Sequence, residues 1–593
     1  MTQITNLVHL ISAWRLRNIS PNNFLLLLSL FIGVISALSA VILKDVVFYT
    51  SYWLRTSFSP EDFNYLYLVF PGIGIMLTVL FVKFIVKDKI SHGVSRILWA
   101  ISQNKGNIDR HNTWSSLVAS TLTVGFGGSV GLEAPIVYTG SAIGSNVGRV
   151  FKLDTRSKIL LVACGATGAM AAIFKAPIAA IVFAIEVLMI DLTTASLMPL
   201  LLASVAGTTI SFLLLGKSVM FSYTISSGFQ LQNIPFYIVL GVFTGAISIY
   251  FSKTSGFIES LFKKINKTYV RIIIGGTVLS ILIFLFPLLY GEGYDSLIAI
   301  LNGRGEELLF NTFFYDFRDN AWLFLGFLLL VLVFKIWAMA TTNGAGGVGG
   351  VFAPSLFMGG LSGYFMAMFI KVVFKIDLPV ENFVLAGMAG VMSGVMHAPL
   401  TSIFLIAELT SGYQLFIPLM ITSALSFITV MPFEPYSIYT KRLAARGELI
   451  THHKDKAALS QINVAGIIET NFSTINKEAS LRELVKVISE SKRNIFPVVD
   501  QNQTYLGLVL LDEIRDVIFN AELYDSVFVS DLMKLPEVTI TPEESMVNVV
   551  KKLRATGYYN MPVVTCDGKY IGFISRANLY TNYKNIIETI SED

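Results

Sequence analysis

Gly127-Gly-Ser-Val-Gly-Leu-Glu-Ala-Pro135 is the stretch on which the reading of this chain turns, because it sets one carboxylate, Glu133, inside a long apolar region. Glycines precede the carboxylate, and Pro135 follows where the first turn of a helix accepts a proline. The run that continues to Val150 carries small residues at close spacing: Gly140, Ser141, Gly144, Ser145 and Gly148. Such residues let helices approach closely in lipid. A glycine-rich loop feeding a helix start leaves backbone N–H groups unpaired, which makes a place for an anion. Glu133 is itself an anion, so it can take that place from a diffusing one.

Composition sets the surroundings of that carboxylate. The 593 residues are 54% hydrophobic and 14% charged, with a mean hydropathy of +0.65; a soluble protein is about a quarter charged. This is the composition of a polytopic membrane protein. A net charge of +4 gives no nucleic-acid footprint, and Cys164 and Cys566 form neither a disulfide framework nor a metal cluster. No nucleophile–base set stands out, so an enzyme is not the reading. Arg15, Arg17 and Pro21 precede the apolar run 24–43 without a small-residue cleavage site. Residues 1–23 therefore read as a cytoplasmic lead-in, not a signal peptide.

Apolar segments follow one another from 24–48 to 414–431, and several fall short of the roughly 20 residues that cross a bilayer upright. Some are broken, as at Phe174-Lys-Ala-Pro177 and Met396-His-Ala-Pro399. The breaks repeat. Gly165-x-x-Gly168…Ala176-Pro177…Glu186 recurs 222 positions later as Gly387-x-x-Gly390…Ala398-Pro399…Glu408. Ala134-Pro135…Gly140…Gly144 recurs 219 positions later as Ala353-Pro354…Gly359…Gly363. Two halves with matched broken helices are the mark of a duplicated transporter, whose ion site lies where the breaks meet. In this register Glu133 is matched by Phe352.

After Tyr439 the chain turns polar. Residues 444–460, with His452-His453-Lys454, read as a linker on the positive, cytoplasmic side. Residues 461–593 hold a second repeat, Phe496-Pro-Val-Val499…Gly507 and Met561-Pro-Val-Val564…Gly572, with an offset of 65 and halves at about 461–525 and 526–593. Each half reads as strand, helix, two strands and helix.

These residues resemble a known family. Gly131-Leu-Glu-Ala-Pro135, Gly349-Gly-Val-Phe-Ala-Pro354 and the helix Gly165–Glu186 with its echo are similar to motifs of the CLC chloride channels and proton/chloride exchangers, over 24–443. The tail resembles a pair of cystathionine-β-synthase-type (CBS) repeats. The resemblance implies an all-α membrane domain of inverted-repeat broken helices, a cytoplasmic α/β CBS pair and a homodimer with one pore per subunit. It implies chloride or a similar anion as the cargo, bound by amides of Val351 and Phe352 and of the segment after Gly131, with Glu133 as the gate. Backbone amides replace hydration without holding the ion as tightly as a buried lysine would.

Departures from the family pattern are as informative. Ser91-His-Gly-Val-Ser95 aligns with the family's first ion-binding loop, so His92 stands where a serine hydroxyl usually faces the ion, with Gly93 beside it. An imidazole N–H can donate to chloride; the alternative is a packing histidine with the backbone coordinating. The family's inner tyrosine falls within Pro435-Tyr-Ser-Ile-Tyr439, with Tyr436 the first choice and Tyr439 the second; either could instead be an interfacial anchor. In many exchangers an inner acidic residue relays protons at the position held here by Val187, as in the family's channels. That favours channel-like conduction over proton-coupled exchange. Glu186 and its twin Glu408 read as capping or pairing groups. In the tail, the positions where the family holds adenine nucleotide are Glu513 and Asn578, and Asn578 departs from the acidic pattern; the alternative is a dimerising cap. A non-transporting membrane sensor is the rival of another class, and fluoride export the rival within the family.

Overall fold

The computed structural model describes residues 19–55, 65–88, 93–216, 221, 228–310, 312–410, 412–446, 448, 459, 462–535 and 538–591. Arg15 and Arg17 of the lead-in, His92, and His452-His453-Lys454 of the linker lie outside them. The chain folds as two compact units, 1–449 and 450–593.

The first unit is helical. Among its described residues, seven helices are long and apolar enough to cross a membrane, from 21–54 to 352–374. The broken segments behave as their prolines require. The helix Thr155–Phe174 stops at Lys175, which adopts the left-handed conformation at φ 56°. Ala176 follows, and Pro177 opens the helix Pro177–Glu186. The second half repeats this: Val380–Met396, His397 at φ 55°, Ala398, then Pro399–Leu409. Proline cannot continue a helix, yet at the first turn its missing N–H removes no bond. A left-handed lysine or histidine costs roughly 1–2 kcal/mol, so packing holds both breaks in place. The resulting helices are 10 and 11 residues long. At 1.5 Å per residue each reaches about half-way through a bilayer.

The small residues allow the two helices of each half to touch backbone to backbone. Gly140 and Gly144, on the helix Glu133–Val150, face the backbone of Gly165 and Leu161. Gly359 and Gly363, on Phe352–Phe374, face Gly387 and Phe383 in the same way. A β-carbon at any of the four would overlap a carbonyl. The duplication seen in the sequence is thus a duplication of packing.

The second unit is α/β. Strand β1 (Ile475–Asn476) pairs parallel with β2 (Ile495–Val499), which pairs antiparallel with β3 (Tyr505–Leu510). Strands β4 (Asn560–Val564) and β5 (Tyr570–Ser575) repeat the hairpin. Ser480 and Glu483 close a capping box on the helix Leu481–Glu490, and Ser545 stands at the same place before Met546–Thr556. The two repeats join through backbone bonds, Tyr505 N–H to the Gly568 carbonyl at 2.9 Å and Tyr570 N–H to that of Gln503 at 3.0 Å. The rings of Tyr505 and Tyr570 stack at 5.8 Å, and burial pushes both phenols above their usual range.

Candidate functional site

The loop before Glu133 is tied down from both halves. Gly131 and Gly350 exchange N–H···O bonds of 2.9 and 2.7 Å, so the glycine loops of the two repeats pair directly. Threonine hydroxyls satisfy further amides: Ser129 N–H donates to Thr342 Oγ1 and Val348 N–H to Thr123 Oγ1. Buried amides without such partners would each cost a hydrogen bond's worth of stability. Gly127 turns at φ 97° against the Tyr290 ring, a place only glycine fits.

Glu133 opens its helix and is only 3% exposed. Its Oε1 accepts a 2.5 Å bond from the Tyr294 hydroxyl. The carboxylate also faces the amide of Ala353, in the first turn of the helix Phe352–Phe374, while Oε2 has no partner at full hydrogen-bond geometry. A side chain at Gly131 would collide with that oxygen. The carboxylate therefore sits where two helix N-termini converge, the electropositive end of each.

A cavity of about 260 Å³ reaches Ala134, the residue after Glu133, and the loop Gly349–Val351. Gly93, Val94, Ala134, Gly349, Gly350, Val351 and Tyr439 line its inner part, and Lys263, Lys441, Arg442 and Glu259 its mouth. Lys263 and Arg442 pair with Glu259, and Lys441 with Glu434, which leaves the mouth with a small positive excess that favours an anion. Gly93 starts the helix Gly93–Gln103 and packs on the Ala134 carbonyl. Phe352 is buried and rests on Phe174 at 5.1 Å. Tyr439 is 5% exposed, with its backbone carbonyl held by Ser95 Oγ at 2.9 Å. Tyr436 is 46% exposed and is absent from the lining. Thus Gly93, Val351 and Phe352 gather around Ala134 and Glu133, and of the two tyrosines it is Tyr439 that joins them.

Val187 is buried at the end of Pro177–Glu186 and offers no proton acceptor. In the tail, Glu513 Oε1 accepts from Lys534 Nζ at 2.6 Å. Asn578 Nδ2 donates to the Ile467 carbonyl at 3.1 Å.

Sequence reasoning missed the loop Tyr290–Tyr294, which docks along the segment Gly125–Glu133. Tyr290 Oη donates to the Gly125 carbonyl, Glu292 Oε1 accepts from Leu132 N–H at 3.0 Å, and Tyr294 reaches Glu133. Lys335, fully buried, donates to the Gly291 carbonyl at 3.0 Å and lies over the Phe357 ring. The signal was present: Lys335 interrupts the apolar run 321–340, and ionisable residues at membrane depth are functional by default.

Residues 74–431 match the family described as voltage gated chloride channel, and residues 464–520 and 529–584 each match the CBS domain. A protein of Ralstonia nicotianae named as a ClcB-like chloride channel is 27% identical over 70% of this chain and 95% of its own length. The H(+)/Cl(-) exchange transporter ClcA of Vibrio cholerae is 29% identical over 54% of this chain and 66% of its own. The crystal structure of a slow cyanobacterial Cl-/H+ antiporter, 22% identical, superposes with a TM-score of 0.62 over 72% of this chain and 99% of that one, a likeness of fold. With the paired glycine loops and the two broken-helix halves already in view, the match establishes that this chain belongs to the CLC family of integral membrane chloride-transport proteins and carries two CBS domains behind its membrane part.

Proposed function

We propose that this protein exchanges chloride for protons across a membrane, with Glu133 as the group that both ions use in turn. The observation that carries the reading is the seat of its carboxylate, between the Tyr294 hydroxyl and the Ala353 amide at converging helix N-termini. Ionised, Glu133 fills the anion's place; protonated, it loses its hold on the amides and yields to chloride. An anion stripped of water needs such a replacement shell, and amides provide one that still lets it leave. Val351, Phe352, Gly93 and Tyr439 would line the route inward.

Val187 weighs toward a second reading, passive conduction, because valine neither binds nor releases a proton. Against it stand the relatives named as exchange transporters. On this reading, water in the cavity lined by Ala134 and Val351, and not a side chain at position 187, would bring protons toward Glu133. Electrical recording separates the two. An exchanger reverses at a potential set partly by the proton gradient, whereas a channel reverses at the chloride potential alone. Adenine nucleotide held near Glu513 and Asn578, and assembly as a homodimer, complete the proposal for the whole chain.

A further inference from the structure

Glu292 stands in the loop Gly291-Glu292-Gly293, both of whose glycines have positive φ, 61° and 91°. Glycine accepts those conformations without strain, which lets the loop turn sharply on both sides of Glu292. Its Oε1 accepts the N–H of Leu132, the residue immediately before Glu133. The two carboxylates act on one another electrostatically. Glu133 is buried, whereas Glu292 is partly exposed. The charged and titratable groups around Glu292 are Lys44, with Asp45 beside it, on the helix Pro21–Arg55; Lys335 on Ala321–Ala345; Glu133; and Tyr290 and Tyr294 in its own loop.

The bond to Leu132 N–H anchors Glu292 on the residue next to Glu133, and carboxylates that act on one another at such range titrate as a pair. We propose that Glu292 is the second carboxylate of the gate, sharing a proton with Glu133 and acting through it as a positioning residue. With the proton on Glu292, Glu133 is the anion and occupies the amides. With the proton on Glu133, Glu292 is the anion, held by the Leu132 N–H and balanced by Lys44 and Lys335. Moving the proton between them breaks one O–H bond, forms another and leaves the charge of the cluster unchanged. The partly exposed Glu292 then gives the buried Glu133 its access to protons in solution. This deepens the reading of Glu133 as the gate and rests on it.

The test is chloride efflux from liposomes holding the full chain, recorded against pH for the unmodified protein, Glu133→Gln, Glu292→Gln and Glu292→Asp. Glu292→Gln keeps an acceptor for the Leu132 N–H but cannot carry the negative charge. Without that charge Glu133 ionises more readily, so efflux should need more acid, its midpoint falling by about one pH unit or more. Glu292→Asp keeps a titrating group and should keep a midpoint near that of the unmodified protein. Should the Gln variant fail to assemble, Glu292→Ala carries the same expectation. A neutral variant whose profile superposes on the unmodified one, while Glu133→Gln is flat, overturns the role of Glu292 alone. A Glu133→Gln profile that keeps its pH dependence overturns the gate itself and this inference with it.

Discussion

Glu186 and Glu408 cap one another's halves. The Glu186 carboxylate accepts from Leu400 N–H at 3.1 Å and from Thr401 N–H and Oγ1, both at 2.7 Å, at the start of Pro399–Leu409. Glu408 accepts from Ile178 N–H at 3.0 Å and Ala179 N–H at 2.9 Å, at the start of Pro177–Glu186. Each negative group thus meets the positive end of the other half's short helix. Replacing either by alanine leaves two amides unpaired and should cost on the order of 2 kcal/mol. Glu186→Ala should cost more than Glu408→Ala, since it loses the threonine hydroxyl as well. Unfolding in detergent reads both; equal stability of Glu186→Ala and the unmodified protein would remove the capping role.

Close packing of the halves gives a second expectation. Gly165 lies against the backbone of Gly140, with no room for a β-carbon. Gly165→Val must separate the helices Glu133–Val150 and Thr155–Phe174, so it should destabilise by roughly 3 kcal/mol or more and reduce the yield of folded protein. Size-exclusion chromatography and thermal unfolding check this; a well-folded Gly165→Val would contradict the backbone-to-backbone contact.

Lys335 supplies the third. Its ammonium satisfies the Leu289 and Gly291 carbonyls inside the membrane unit. Lys335→Met keeps the bulk but leaves both carbonyls without their donor and removes a positive charge near Glu292, and should cost on the order of 2 kcal/mol. Thermal unfolding should show it. An unchanged midpoint would mean that Lys335 carries no net charge-balancing role.

Nucleotide binding by the tail is the fourth. Glu513 is paired with Lys534, and Asn578 donates to the distant Ile467 carbonyl. A nucleotide must compete for Glu513, but Lys534 stands ready to meet its phosphates. ATP at about a hundred times its Kd should stabilise the tail by about 2.7 kcal/mol. Glu513→Ala should abolish the gain. No shift at millimolar ATP would leave the CBS pair as a dimerising cap.

The broken helices were legible because proline acts locally: Ala-Pro marks both breaks whatever surrounds them. Glu133 was legible because a carboxylate in an apolar run is conspicuous. The tyrosine register was not, since Tyr436 and Tyr439 both fit the motif within one turn of the sequence, and it takes the fold to bury Tyr439 beside the cavity and leave Tyr436 at the surface. Glu292 and Tyr294 reach Leu132 and Glu133 from a loop about 160 positions away in sequence, and Lys335 holds that loop from another helix. No local pattern encodes that docking. Val187 shows the opposite hazard, since its identity was plain and its consequence was not.

The central claim is that Glu133 couples the two ions. The full chain in liposomes, given an outward chloride gradient and watched by chloride and pH electrodes together, tests it most directly. The account predicts that chloride leaving down its gradient draws protons inward against theirs, and that Glu133→Gln keeps the chloride movement while ending the proton movement. Chloride efflux without proton movement in the unmodified protein, or coupling that survives Glu133→Gln, would contradict it.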